Sequence, residues 1–66
     1  MKLDEIKNKI QEMQQNDKYY ARIQVGDKQF INVDLDTDID FYRKEVIFNT
    51  DYGKIVVFTD KIKRII

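Results

Sequence analysis

Between Glu45 and Thr59 the chain carries two runs of β-branched and aromatic residues, Val46-Ile47-Phe48 and Ile55-Val56-Val57-Phe58, separated by Asn49-Thr50-Asp51-Tyr52-Gly53-Lys54. The runs are too short and too rich in Val, Ile and Phe for helices. The Asn/Asp/Gly cluster between them supplies a residue that takes positive φ without steric cost, so the segment predicts a β-hairpin. A chain of 66 residues buries only about 60% of the surface its unfolded form exposes, and this hairpin has to be the centre of its core. A single domain over residues 1–66 is expected, with a helix over 1–16 and an antiparallel sheet over 18–66.

The helix follows from Leu3, Ile6, Ile10 and Met13, which form one stripe at helical spacing while Lys, Glu, Gln and Asn occupy the rest of the surface. Asp4 and Glu5 fall in the first turn, where carboxylates suit the positive end of the helix dipole, and Asn16-Asp17 is a plausible stop. From Tyr19 the period becomes two. Ala21, Ile23 and Val25 alternate with Tyr20, Arg22 and Gln24, then Gly26-Asp27 stands where a tight turn is needed, and Ile31, Val33 and Leu35 alternate with Phe30, Asn32 and Asp34. This is a second hairpin with its odd-numbered residues facing the core. At the C-terminus Thr59-Asp60-Lys61 interrupts the apolar pattern and Ile62 to Ile66 resume it, which reads as a short last strand with a helical turn as the alternative.

The fold class is therefore α+β: an N-terminal amphipathic helix packed on a four- or five-stranded antiparallel β-meander, closing into a small barrel if the last strand pairs with the first. This order of elements resembles that of the Sm-like and SH3-like small barrels, in which an N-terminal helix precedes five short strands. The glycine-and-aspartate pattern of the Sm-like family is missing, so none of that family's RNA-binding residues has a counterpart here.

Composition removes most chemistry. The chain has no Ser, Cys or His, so the Ser-His-Asp and Cys-His arrangements and the usual zinc sites cannot be built. The two glycines, Gly26 and Gly53, each have a turn to explain them, which leaves no glycine-rich phosphate loop. No enzyme and no cofactor are expected. No apolar run is long enough for a signal peptide or a membrane span, and a cytoplasmic protein is expected. The abundance of Lys, Asn, Ile, Asp and Tyr is what an AT-rich genome encodes, and it fits a bacterial phage or plasmid origin.

One constellation stands out: Asp34, Asp36, Asp38 and Asp40 at every second position. Three readings compete for it. As a calcium loop, Asp34, Asp36, Asp38, Asp40 and Glu45 match the first, third, fifth, seventh and twelfth places of an EF-hand, but Ile39 replaces the glycine that its sharp turn needs and the flanks read as strands. As an edge strand, the four carboxylates would stand about 6.6 to 7 Å apart on one face, close to the spacing of successive phosphates in a nucleic-acid strand. As a solvated strand or loop, their charge would simply discourage edge-to-edge aggregation.

The 12 acidic and 12 basic residues cancel overall, yet residues 34 to 40 carry −4, whereas Lys54, Lys61, Lys63 and Arg64 with Asp60 give the last thirteen residues +3. The sequence reading is a small non-catalytic protein-binding regulator or inhibitor. It would act through Asp34, Asp36, Asp38 and Asp40, with Tyr20, Tyr42 and Tyr52 as aromatic anchors. The alternatives are a nucleic-acid-binding small barrel using Lys54, Lys61, Lys63 and Arg64, and calcium binding over residues 34–45. Another protein is the expected partner, with nucleic acid disfavoured, no membrane contact, and a homodimer compatible with the pattern.

Overall fold

In the computed structural model, which describes all 66 residues, the helical stripe forms α1 over Leu3–Gln15 and buries Ile6, Ile10 and Met13. The stop at Asn16-Asp17 is made by backbone geometry. The Asp17 N–H donates to the Gln14 carbonyl at 3.1 Å and the Lys18 N–H to the Met13 carbonyl at 2.9 Å, the paired bonds of a Schellman cap. That cap requires left-handed backbone at Asp17, whose φ is 58°. Asn16 adds its own side chain, donating from Nδ2 to the Glu12 carbonyl at 3.0 Å.

The period-two segment forms β1 (Tyr20–Gly26) and β2 (Gln29–Asp34), antiparallel with Ala21 opposite Val33 and Ile23 opposite Ile31. Opposite residues share a face, so the odd-numbered set turns inward together, and Ala21, Ile23, Val33 and Leu35 are buried. Gly26 does not serve as the turn residue. It closes β1 opposite Gln29 after a bulge between Gln24 and Gly26, and Asp27-Lys28 make the turn. The glycine with positive φ is Gly53, at 131°, which lets the second hairpin reverse.

That hairpin pairs β4 (Glu45–Thr50) with β5 (Gly53–Phe58), and β3 (Asp38–Phe41) lies on the other side of β4. Val46 opposite Val57 and Phe48 opposite Ile55 point into the protein, and Val46 and Phe48 are completely buried. The two apolar runs are nevertheless not buried on both faces. Val56 and Phe58 stand on the outside, 44% and 54% exposed.

Six strands form, in two three-stranded antiparallel sheets ordered β2-β1-β6 and β3-β4-β5. The extra division comes from a bend at residues 35–37 between β2 and β3. There the Asp34 carboxylate accepts the Asp36 N–H at 2.8 Å and the Thr37 hydroxyl donates to the Asp34 carbonyl at 3.1 Å, a local turn that competes with strand pairing. At the C-terminus the helical turn and the strand both occur, in succession: a 3-10 turn at Thr59–Lys61 and then β6 (Arg64–Ile65). β6 returns to β1, with Ile23 opposite Ile65 and Gln24 opposite Arg64. The sequence reading makes that contact the condition for a small barrel. The strands still do not close into one cylinder, because β5 pairs with β4 alone and no ladder joins it to β6.

Thr59 sits at this crossing. It is buried, its N–H donates to the Lys44 carbonyl at 2.9 Å and its hydroxyl to the Arg43 carbonyl at 3.0 Å. The core lies between the two sheets and is covered by α1, with Ile62 and Ile65 closing it.

Candidate functional site

The bend after β2 and the tip of the β4–β5 hairpin face each other across an open groove of about 980 Å³. The bend supplies Asp34, Asp36, Thr37 and Asp38. The hairpin tip supplies Thr50, Asp51, Tyr52 and Lys54, and Tyr20 and Asn32 reach in from the first sheet.

Each group is placed by local structure. The Asp34 carboxylate is held by the turn it caps, whereas Asp36 and Asp38 are exposed and outside the protein's one ion pair. The hairpin tip is organised by Thr50, whose hydroxyl donates to the Gly53 carbonyl at 2.6 Å and accepts the Tyr52 N–H at 3.3 Å. This turn throws the Tyr52 ring clear of the protein, fully exposed, and Tyr20 is 75% exposed at the start of β1. The groove lining holds four carboxylates and one ammonium. Two tyrosines give it large, rigid contact area with a polar tip, a combination enriched at protein interfaces.

Of the seven residues that the sequence marks for partner binding, the fold brings together Asp34, Asp36, Asp38, Tyr20 and Tyr52. It separates the other two. Asp40 lies on the outer face of β3, where its carboxylate accepts from Asn49 Nδ2 at 2.9 Å, and Tyr42 follows β3 at the far end of the second sheet. The uniform ladder of four carboxylates does not form, because the bend puts Asp34 in one sheet and Asp38 and Asp40 in the other. A regular phosphate-like spacing along one strand is therefore absent.

For the calcium reading, no three carboxylates are placed to hold a cation together. The physical reason is β3. An extended strand with Ile39 half-buried against the core keeps Asp38 and Asp40 side by side instead of wrapping them around a point, and Glu45 sits at the start of β4 opposite Phe58. Of the basic residues, Lys54 is set apart from the C-terminal three. Lys54 lines the groove and Lys61 stands in the 3-10 turn. The Lys63 ammonium is 2.7 Å from the Asp27 carboxylate, and Arg64 Nε donates to Gln24 Oε1 at 2.7 Å. Hydrogen bonding from Lys63 and its positive charge hold the Asp27 carboxyl below the usual carboxylate range.

Asn32, Thr50 and Asp51 line the groove without having been singled out as functional. Their one sequence signal was polar character at a strand and a hairpin tip, which a turn explains equally well. No helix is long and apolar enough to cross a membrane. Comparison with protein-family models, curated proteins and solved structures gives no match, so the groove is interpreted from its own chemistry.

Proposed function

We propose that this chain is a small non-catalytic binding protein, a regulator or inhibitor whose acidic groove engages a basic surface of another protein. What carries the reading is the convergence of Asp34, Asp36, Asp38 and Asp51 with Tyr20 and Tyr52 around one concave surface. Clustered carboxylates steer a cationic partner toward the groove, and exposed tyrosines contribute contact area with little rotamer entropy to lose. An ordinary interface covers roughly 800 Å² per partner, which a domain of this size can supply. Action in the cytoplasm and an origin in a phage or plasmid fit this reading and belong to the proposal.

The test is affinity capture from the native host with two variants in parallel. In one, Asp36, Asp38 and Asp51 become Asn and Tyr52 becomes Ala; in the other, Lys61, Lys63 and Arg64 become Gln. Asp34 is left in place because it caps the bend. The proposal expects a protein captured by the wild type and by the second variant but lost with the first, with affinity that weakens as salt rises. Salt-sensitive sub-micromolar binding to a random oligonucleotide, lost only in the second variant, would replace it with the nucleic-acid reading.

A further inference from the structure

An edge strand offers unpaired backbone groups to any extended chain, and proteins usually protect such edges with charge, proline, a bulge or a covering element. β5 has little of that protection. It is six residues long, contains no proline and no bulge, carries one charge, Lys54, and pairs with β4 on one side only.

The hydrogen-bond parity identifies the exposed groups. The Thr59 N–H donates to the Lys44 carbonyl and the Tyr42 N–H to the Glu45 carbonyl. In an antiparallel pair, bonded and non-bonded positions alternate. Residues 53, 55 and 57 therefore bond to β4, and the N–H and C=O groups of Lys54, Val56 and Phe58 point to the open edge. The side chains of the same three residues are exposed, Val56 by 44% and Phe58 by 54%.

We infer that the β5 edge pairs with the β5 edge of a second copy of this chain, antiparallel and centred on Val56, which joins two β3-β4-β5 sheets into one of six strands. This register uses all three outward-facing residues. It places Val56 opposite Val56 of the second copy and Lys54 opposite Phe58, and no like charges oppose each other. Centring the pair on Lys54 would oppose two ammonium groups and leave Phe58 unpaired. The β6 and β3 edges fit β5 less well. The β6 edge is two residues long and carries Arg64 beside Lys63, which would meet Lys54 with like charge. The β3 side is flanked by α1, where Lys7 Nζ lies 5.6 Å from the Phe41 ring and Gln14 Nε2 donates to the Leu35 carbonyl at 3.1 Å. One strand pair covers less than the roughly 800 Å² per partner of a standard interface, which sets the expected Kd between ~10 µM and ~1 mM. This inference rests on the β5 edge and not on the partner proposed for the acidic groove, although Lys54 belongs to both surfaces.

Sedimentation of the purified chain from about 10 µM to about 1 mM spans that range. The mass should rise from 8.0 kDa toward twice that value and stop there. Amide hydrogen exchange at Lys54, Val56 and Phe58 should slow with concentration, whereas Ile55 and Val57, already bonded to β4, should not change. Val56→Lys, which opposes two ammonium groups on the symmetry axis, should remain monomeric at 1 mM with an unchanged melting curve in dilute solution. Phe58→Glu, which sets a carboxylate opposite each Lys54, should keep the dimer and make it salt-sensitive. A monomer throughout this range, growth beyond a dimer, protection without the alternation, or a Val56→Lys variant that still dimerises would each overturn the inference.

Discussion

The two hairpins are built alike on the inside and differently on the outside. β1–β2 and β4–β5 each turn an apolar row into the same core, Ala21, Ile23 and Val33 from one and Val46, Phe48 and Val57 from the other. On the first sheet the outer face is engaged by its own neighbours. The Arg22 guanidinium lies 4.4 Å from the Phe30 ring, Arg64 bonds Gln24, Lys63 bonds Asp27, and Gln24 Nε2 donates to the Gly26 carbonyl at 3.0 Å. On the second sheet Val56 and Phe58 stand in solvent with Ile47 half-buried beside them, and the hairpin tip projects Tyr52. Inward residues thus carry stability in both halves, while Arg22, Gln24 and Phe30 are engaged on the outside of the first sheet and Val56 and Phe58 stand free on the outside of the second.

The largest test of that equivalence is in the core. Phe48→Ala should cost about 3 to 5 kcal/mol and Ile23→Ala about 2 to 5 kcal/mol, because each leaves a cavity where the side chain is now fully enclosed. Chemical denaturation would measure both. Near-wild-type stability of either variant would break the claim that both sheets share one core.

Thr59→Val probes the crossing between the sheets. It keeps the shape but removes the hydroxyl that donates to the Arg43 carbonyl, and a loss of about 1 to 3 kcal/mol is expected because a part-buried acceptor is left unmatched. An unchanged midpoint would mean that water replaces the bond and that the crossing is open.

The outer faces should respond differently from each other. Arg22→Ala removes a cation–π contact and should cost about 0.5 to 1 kcal/mol, whereas Val56→Thr in dilute solution should stay within about 0.5 kcal/mol. If Val56→Thr destabilised the monomer more than Arg22→Ala, the contrast between a closed and an open outer face would fail.

The smallest effect concerns Asp27. Its carboxyl is held below the ordinary value by Lys63, so the ion pair stabilises the fold at neutral pH and the contribution fades as the carboxyl is protonated below about pH 4. Asp27→Asn should therefore melt slightly below the wild type at pH 7 and together with it in strong acid, with the difference reduced by salt. A difference that grew on acidification would contradict the assignment.

Local periodicity determined the helix and the inward rows. A stripe of Leu3, Ile6, Ile10 and Met13, or an alternation such as Ala21, Ile23 and Val25, has only one face to bury, so the chain itself states which side is inside. The candidate site was legible in part for the same reason: Asp34, Asp36, Asp38, Tyr20 and Tyr52 were visible as polar residues beside apolar rows. A continuous run such as Ile55 to Phe58 contains no such statement. Which of its faces is covered depends on what lies across from it, and here α1 and the first sheet cover the inner face only. The aspartate series was equally ambiguous, because alternation along the chain says nothing of a turn made by Asp34 and Thr37 that sends its two halves into different sheets. Groove, open edge and divided sheet arise from contacts between residues distant in sequence, and only the assembled fold sets those distances.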